Sequence, residues 1–247
     1  MCFGAFLLAA CAALPPPEAK PLSQTRPVAG SPWAHASRFA DFESSWLHQQ
    51  FPGKRPSVYS YARLDGRDAV LVEASSSASM LRQTVRVEAD DLNRVRFSWK
   101  VPALIDAADL TVREQADSPV RVVLAFEGDR SKFSAKNAML SELAHALTGE
   151  PMPYATLMYV WCNREPLDKV LINPRTDRIR KIVLESGPAH LSRWMDYERD
   201  IRADFAKAFG EPPGALVAIG IMTDTDNTRT DARAWYGSLR LIGAKNP

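Results

Sequence analysis

The sequence predicts a mainly β protein, an antiparallel β-sandwich of the jelly-roll kind with two inserted helices. Three observations carry that prediction. Short runs rich in β-branched and aromatic residues recur from Ser57 onward between turn-forming residues. One of them, Arg94 to Val101, alternates strictly, with Val95, Phe97, Trp99 and Val101 on one face and Arg94, Arg96, Ser98 and Lys100 on the other. The two stretches with helical spacing fall late, whereas a doubly wound sheet needs a helix between most strands. With 247 residues and 46% hydrophobic content, the chain is long enough to close one large core.

Taken in order, Ser57 to Arg63 and Ala69 to Ala74 flank Leu64-Asp65-Gly66-Arg67, whose Asp-Gly pair is the turn of a hairpin. Met80 to Val87 and Arg94 to Val101 are the next strands, and the serine run Ser75 to Ser79 is a loop before them. Arg121 to Glu127 follows, with Gly128-Asp129 as its turn. Leu140, Leu143, Ala144 and Leu147 then recur at helical spacing between Lys136 and Thr148, and Gly149 stands where a helix ends, so this segment predicts a short amphipathic helix packed on a sheet. Ala155 to Cys162 is apolar on both faces, as a central strand requires. After the Asn173-to-Thr176 turn and a strand from Arg178 to Glu185, the stripe Leu191, Trp194, Ile201 and Phe205 predicts a longer helix from His190 to Phe209, stopped by Gly210. The stretch Ala218 to Ile242 reads as two strands around a polar loop. Eight to nine strands result.

Ahead of the domain, residues 1–10 form a signal-like leader ending in Leu8-Ala9-Ala10-Cys11, which resembles a lipoprotein cleavage site with Cys11 as the lipidated residue. Residues 11–32 are a Pro-rich tether, and the single sandwich domain is expected over 33–247. These features predict a periplasm-facing protein of a bacterial cell envelope, held to the membrane by a lipid. With Cys11 acylated and Cys2 removed, Cys162 has no disulfide partner, and no His lies near it in sequence to activate it. A net charge of +2 from interspersed acids and bases gives no basic face for nucleic acid.

Several blocks in fixed order carry a family resemblance: Phe97-Ser98-Trp99-Lys100-Val101, Phe126-Glu127-Gly128-Asp129, Pro153 to Trp161, Glu185-Ser186-Gly187, Ile221 to Thr228, and Ala234-Trp235-Tyr236-Gly237. Together they resemble the bacterial domain-of-unknown-function family 3047, across nearly everything from Phe39 to Leu241. The resemblance implies an envelope-type bacterial protein and no assigned activity. The closing strands also resemble those of carbohydrate-binding jelly rolls, although Ser238 replaces an expected acid.

The candidate ligand contacts fall in two places. The loop residues Asp224, Asp226 and Asn227, with Trp235 and Tyr236 at its exit, offer hard oxygen ligands and rings for a sugar face. Arg121, Glu127, Asp129 and Lys132 define a second patch for an anionic or hydroxylated ligand. The bland alternatives are a structural turn and a solvated sheet face. Calcium, with Asp231 as a further ligand, is the minor reading, because the loop lacks the glycine and glutamate of a helix-loop-helix calcium site. The expected function is non-catalytic binding of a glycan or another hydroxylated or anionic ligand, with no cofactor. Its alternatives are a glycoside hydrolase using Glu127 and Glu185 or a neighbouring pair, and an envelope assembly factor that binds another protein. No HExxH, GxSxG or phosphate-loop spacing is present.

Overall fold

The computed structural model describes residues 26–38 and 45–242. In chain order these comprise a short helix α1 (Pro32–Ala36) and the strands β1 (Leu47–Gln50), β2 (Val58–Leu64), β3 (Arg67–Ser75), β4 (Ser79–Val87), β5 (Arg94–Lys100) and β6 (Ser118–Phe126). Helix α2 (Ala135–Thr148) precedes β7 (Ala155–Cys162), β8 (Val170–Asn173), β9 (Thr176–Ser186) and β10 (Trp194–Asp200). Helix α3 (Ile201–Phe209) and β11 (Leu216–Asp224), β12 (Asp231–Tyr236) and β13 (Arg240–Ile242) follow, the last of the described elements.

The strands form two facing sheets, which makes the protein a mainly β, jelly-roll-like sandwich. The first runs β1-β4-β11-β6-β7-β9-β8 and the second β10-β5-β12-β3-β2, with β13 also paired to β5. Every pairing is antiparallel except β7 with β9. Between the sheets lies the core. Val95, Phe97 and Trp99 of β5 point in, as their alternation demands, and meet Val122, Leu124, Tyr159 and Trp161 from the opposite sheet. Phe97 stacks on Tyr159 with centroids 5.4 Å apart. The packed body reaches N-terminally of Trp33, because Val28 is in the core and the carbonyl of Arg26 accepts a hydrogen bond from Tyr61 N at 3.0 Å. Cys11 and the leader lie outside the described residues.

Two elements depart from the sequence reading. The helix expected from His190 to Phe209 is a strand followed by a shorter helix: β10 pairs with β5 in register from Trp194 opposite Lys100 to Asp200 opposite Arg94. Met195 and Tyr197 pack on the core while Asp196 and Glu198 face outward, a period of two that the wider helical stripe concealed. Asp200 then caps α3, its carboxylate accepting from Ala203 N at 2.9 Å. The second departure is α2, which forms as predicted, with Gly149 in the left-handed conformation, but does not pack through its leucines. Its buried residues are Asn137 and Ser141, whereas Leu143 and Leu147 are exposed. The short strands β1, β8 and β13 carry too few residues to show a period.

Candidate functional site

The chain segments around the first sheet leave an open groove of about 460 Å³ on its outer face. Its floor is laid by outward positions of adjacent strands: Met222 on β11, Arg121 on β6, Met158 on β7 and Ile179 on β9. Strand alternation fixes this, since Ile221, Val122 and Tyr159 take the inward positions. Leu140 of α2 and Met152 form one wall, and Phe51, Pro52 and Lys54, in the segment after β1, form the other. Arg113, Arg175, Asp226 and Asn227 stand at the rim.

One end of the floor is electrostatically closed. Arg121 donates to both carboxylate oxygens of Asp224, Nε to Oδ1 at 2.8 Å and Nη2 to Oδ2 at 2.9 Å, and Nη2 also reaches the Ala116 carbonyl at 2.6 Å. Ser118 N adds a further bond to Asp224. Burial raises the Asp224 pKa from its usual value, against the pull of Arg121. Beside them Lys181 on β9 is fully buried. Its ammonium donates to the Leu110 carbonyl at 3.3 Å, and burial, with Arg121 next in weight, lowers its pKa to about 7.

The polar loop after β11 is held by internal bonds. Asp117 accepts from Asn227 Nδ2, Thr228 N and Thr228 Oγ1, each at 2.7 Å. The serine run grips the same loop, with Ser77 N donating to Thr225 Oγ1 and Ser76 N to the Thr230 carbonyl. Asp117, Asp224 and Asp226 bring carboxylate oxygens within 4.8 Å of one another. Protein donors fill that cluster: the loop on Asp117, Arg121 on Asp224, and Lys54 on Asp226. A calcium ion here would have to displace an arginine and a lysine, and Asp231 lies away from it at the start of β12.

Of the residues singled out from the sequence, the groove brings together Arg121, Asp224, Asp226 and Asn227. Tyr236 is not a surface residue. Its side chain is 0% exposed and its hydroxyl sits between the sheets, donating to the Met222 carbonyl at 2.5 Å and accepting from Arg121 N at 3.1 Å. Trp235, half-buried, points from the outer face of the second sheet, on the far side of the sandwich. It shares a cross-strand row with Lys100 and Trp194, and the β2–β3 hairpin tip lies over that row through the Asp65–Lys100 ion pair and Arg67 above the Trp194 ring.

The patch of Arg121, Glu127, Asp129 and Lys132 does not assemble. Glu127, just beyond β6, pairs with Arg86 at 3.1 Å, and Asp129 caps a short turn containing Lys132, whereas Arg121 lies six residues back, roughly 20 Å along the strand. The hydrolase pair Glu127 and Glu185 fails likewise. Glu185 is level with Trp161, near the start of β6, again roughly 20 Å from Glu127 and beyond the spacing two catalytic carboxylates require. Glu185 is instead bound by Tyr197 Oη at 2.6 Å and His190 Nδ1 at 2.8 Å.

Sequence reasoning missed Met152, Met158, Met222, Lys54, Arg113, Arg175 and Lys181. One signal was available, because β7 is apolar on both faces and its outward residues therefore needed a cover or a ligand.

No curated protein matches the chain. Among solved structures, the xyloglucanase domain of NopAA, a type three effector from Sinorhizobium fredii solved with cellobiose, aligns at 9% identity and a TM-score of 0.41, covering 82% of this chain and 94% of that one. The Trichoderma harzianum endoglucanase 3 of family GH12 aligns at 7% identity and 0.37, covering 82% and 97%. The family described as Protein of unknown function (DUF3047) matches residues 44–240, a span that holds both sheets and the whole groove, and the chain belongs to that family.

Proposed function

We propose that this protein is a non-catalytic binding domain of the bacterial cell envelope whose groove on the first sheet takes an anionic ligand. The observation that carries the reading is the charge balance of the groove. Both of its carboxylates are already neutralised, Asp224 by Arg121 and Asp226 by Lys54, while no carboxylate among the described residues pairs with Arg113 or Arg175 at the rim. A pocket of this volume with a few placed cations is suited to a small ligand. A neutral glycan finds less here, since the acidic acceptors are occupied and Phe51 is the only aromatic ring in the lining among the described residues. With Asp224 held by Arg121 and Asp226 by Lys54, the groove has no unpaired carboxylate among the described residues to act as acid or base, which favours binding over turnover.

Thermal denaturation with inorganic phosphate, glycerol phosphate, oligogalacturonate and a neutral cello-oligosaccharide tests this. Preferential binding to the native state raises the melting temperature by mass action. The anions should stabilise, with an effect that falls as salt rises and weakens in the Arg113→Ala, Arg175→Ala double variant. Stabilisation by the neutral oligosaccharide alone overturns the proposal. The envelope assignment rests on Leu8 to Cys11 and the proline-rich tether, and the intact mass of detergent-extracted protein tests it by the presence or absence of an acylated Cys11.

A further inference from the structure

Helix α2 buries its polar side and exposes its apolar one. Ser134 and Gly149 delimit it, and it is pinned by Asn137, whose Nδ2 donates to Asp177 Oδ1 at 2.7 Å and whose Oδ1 accepts from Thr176 Oγ1 at 2.8 Å. Met139, Leu143 and Leu147 follow at four-residue spacing on one stripe, exposed by 65%, 53% and 59%. A helix in water normally turns such a stripe to the core. With Asn137 and Ser141 turned inward, this stripe, on the opposite side of the helix, is left facing outward.

The C-terminal end of the stripe, at Leu147, borders a depression that adjoins the groove. Leu140 lines the main depression with Phe51, Met152, Met158, Ile179 and Met222. Leu147 lines a second depression with Leu47, another exposed leucine, and both depressions share Phe51, Pro52 and Lys54. They form one channel beside α2, with the Arg82–Glu150 ion pair in the second depression and the cations Arg113 and Arg175 at the rim of the first. The lining of the first depression is largely apolar, three of its side chains being methionines, which adapt to irregular hydrocarbon, whereas the second adds Leu47 and Leu147 among polar residues. Fourteen residues of helix are about 21 Å long. A single acyl chain, spanning half of a hydrocarbon core of about 30 Å, is roughly 15 Å long and fits alongside.

We infer that the anion bound by this groove is the head of an acyl-chain amphiphile, with its chain lying along α2 over Met158 and Met222 and its charged group at Arg113 and Arg175. The inference rests on the proposed anion-binding reading and adds the apolar half of the ligand. Arg121 and Asp224 satisfy one another, so the floor of the first depression offers hydrocarbon contact rather than hydrogen bonds to a hydroxylated chain.

Calorimetric titration of the full chain with hexyl, octyl and decyl phosphate below their micellar concentrations, against inorganic phosphate and oligogalacturonate, tests it. Each added methylene should raise affinity about fourfold, the factor equivalent to about 0.8 kcal/mol. The Leu140→Gln, Leu147→Gln double variant, altered at the two α2 leucines that line the depressions, should lose affinity for decyl phosphate at least tenfold while its thermal unfolding stays cooperative, and Arg113→Ala with Arg175→Ala should weaken every anion alike. Affinity independent of chain length, with oligogalacturonate still bound, overturns the acyl inference and leaves the anion reading standing. A chain-length dependence untouched by the leucine substitutions overturns the placement along α2. Binding of none of the anions overturns both readings.

Discussion

Replacing Lys181 with Met should stabilise the protein at neutral pH and make its stability less sensitive to pH. Lys181 is fully buried on β9, with Arg121 disfavouring its charge, Asp224 favouring it, and one carbonyl bond at 3.3 Å. Its pKa falls from 10.5 to about 7 on folding. Below pH 7 the ammonium is charged in both states, and the folded state bears the whole desolvation penalty. Between about 7 and 10.5 the unfolded chain holds a proton that the folded one has lost, so wild-type stability rises with pH; above 10.5 the penalty is gone. At 1.36 kcal/mol per unit, a difference of about 3.5 amounts to about 5 kcal/mol as an upper value. Lys181→Met removes this response while keeping the side-chain length. Urea unfolding of both proteins from pH 6 to 10.5 should show the variant more stable by several kcal/mol at pH 6, with the gap closing by about 1.4 kcal/mol per unit above pH 7. A gap that is flat in pH, or a wild type more stable than the variant at pH 6, refutes the reasoning.

Other expectations are more local. Arg121→Met leaves the Asp224 carboxylate buried without its partner and should destabilise by about 3–5 kcal/mol in denaturant unfolding, with the Arg121→Met, Asp224→Leu double variant recovering much of the loss. Gly214→Ala places a Cβ 2.3 Å from the Glu127 carbonyl oxygen, a backbone atom that cannot swing aside, and should cost about 1–3 kcal/mol by the same measurement. Glu127→Gln, at an exposed ion pair, should change stability by less than about 1 kcal/mol. Glu185→Gln weakens two short hydrogen bonds and should cost about 1–3 kcal/mol. Calcium and chelator should leave the melting temperature unchanged, because protein donors occupy the Asp117, Asp224 and Asp226 cluster.

The sandwich was legible because a half-buried strand writes its period into the chain. β5 alternates residue by residue, and β2–β3 announces itself through Asp65-Gly66. β10 was not legible for a reason of the same kind. It is an edge strand with acids at outward positions and only Met195 and Tyr197 facing the core, so seven residues offered too few inward anchors to compete with a spurious stripe running into α3. α2 is legible as a helix packed on a sheet, and it docks on β9, but not through its leucines, because periodicity reports which face is apolar and not which surface meets it. In α2 the docking contact is made by Asn137, which hydropathy counts as polar.

The candidate site was half legible for a topological reason. The loop between β11 and β12 crosses from one sheet to the other, so outward residues on its two flanks emerge on opposite surfaces of the sandwich. Asp224 and Trp235 are eleven positions apart in sequence and look like one site. Yet Asp224 faces the first groove, Trp235 faces away across two sheets packed about 10 Å apart, and Tyr236 is turned into the core between them. Neighbours that did assemble came from distant sequence, Met158 and Ile179 from a parallel pair and Lys54 from a turn more than a hundred residues earlier. The same geometry gives a way to tell a site on the first sheet from one on the second. Substitutions on the groove floor, such as Met158→Glu, should abolish anion binding while Trp235→Ala leaves it intact. Loss of binding in Trp235→Ala with Met158→Glu unaffected would move the ligand to the other face of the sandwich.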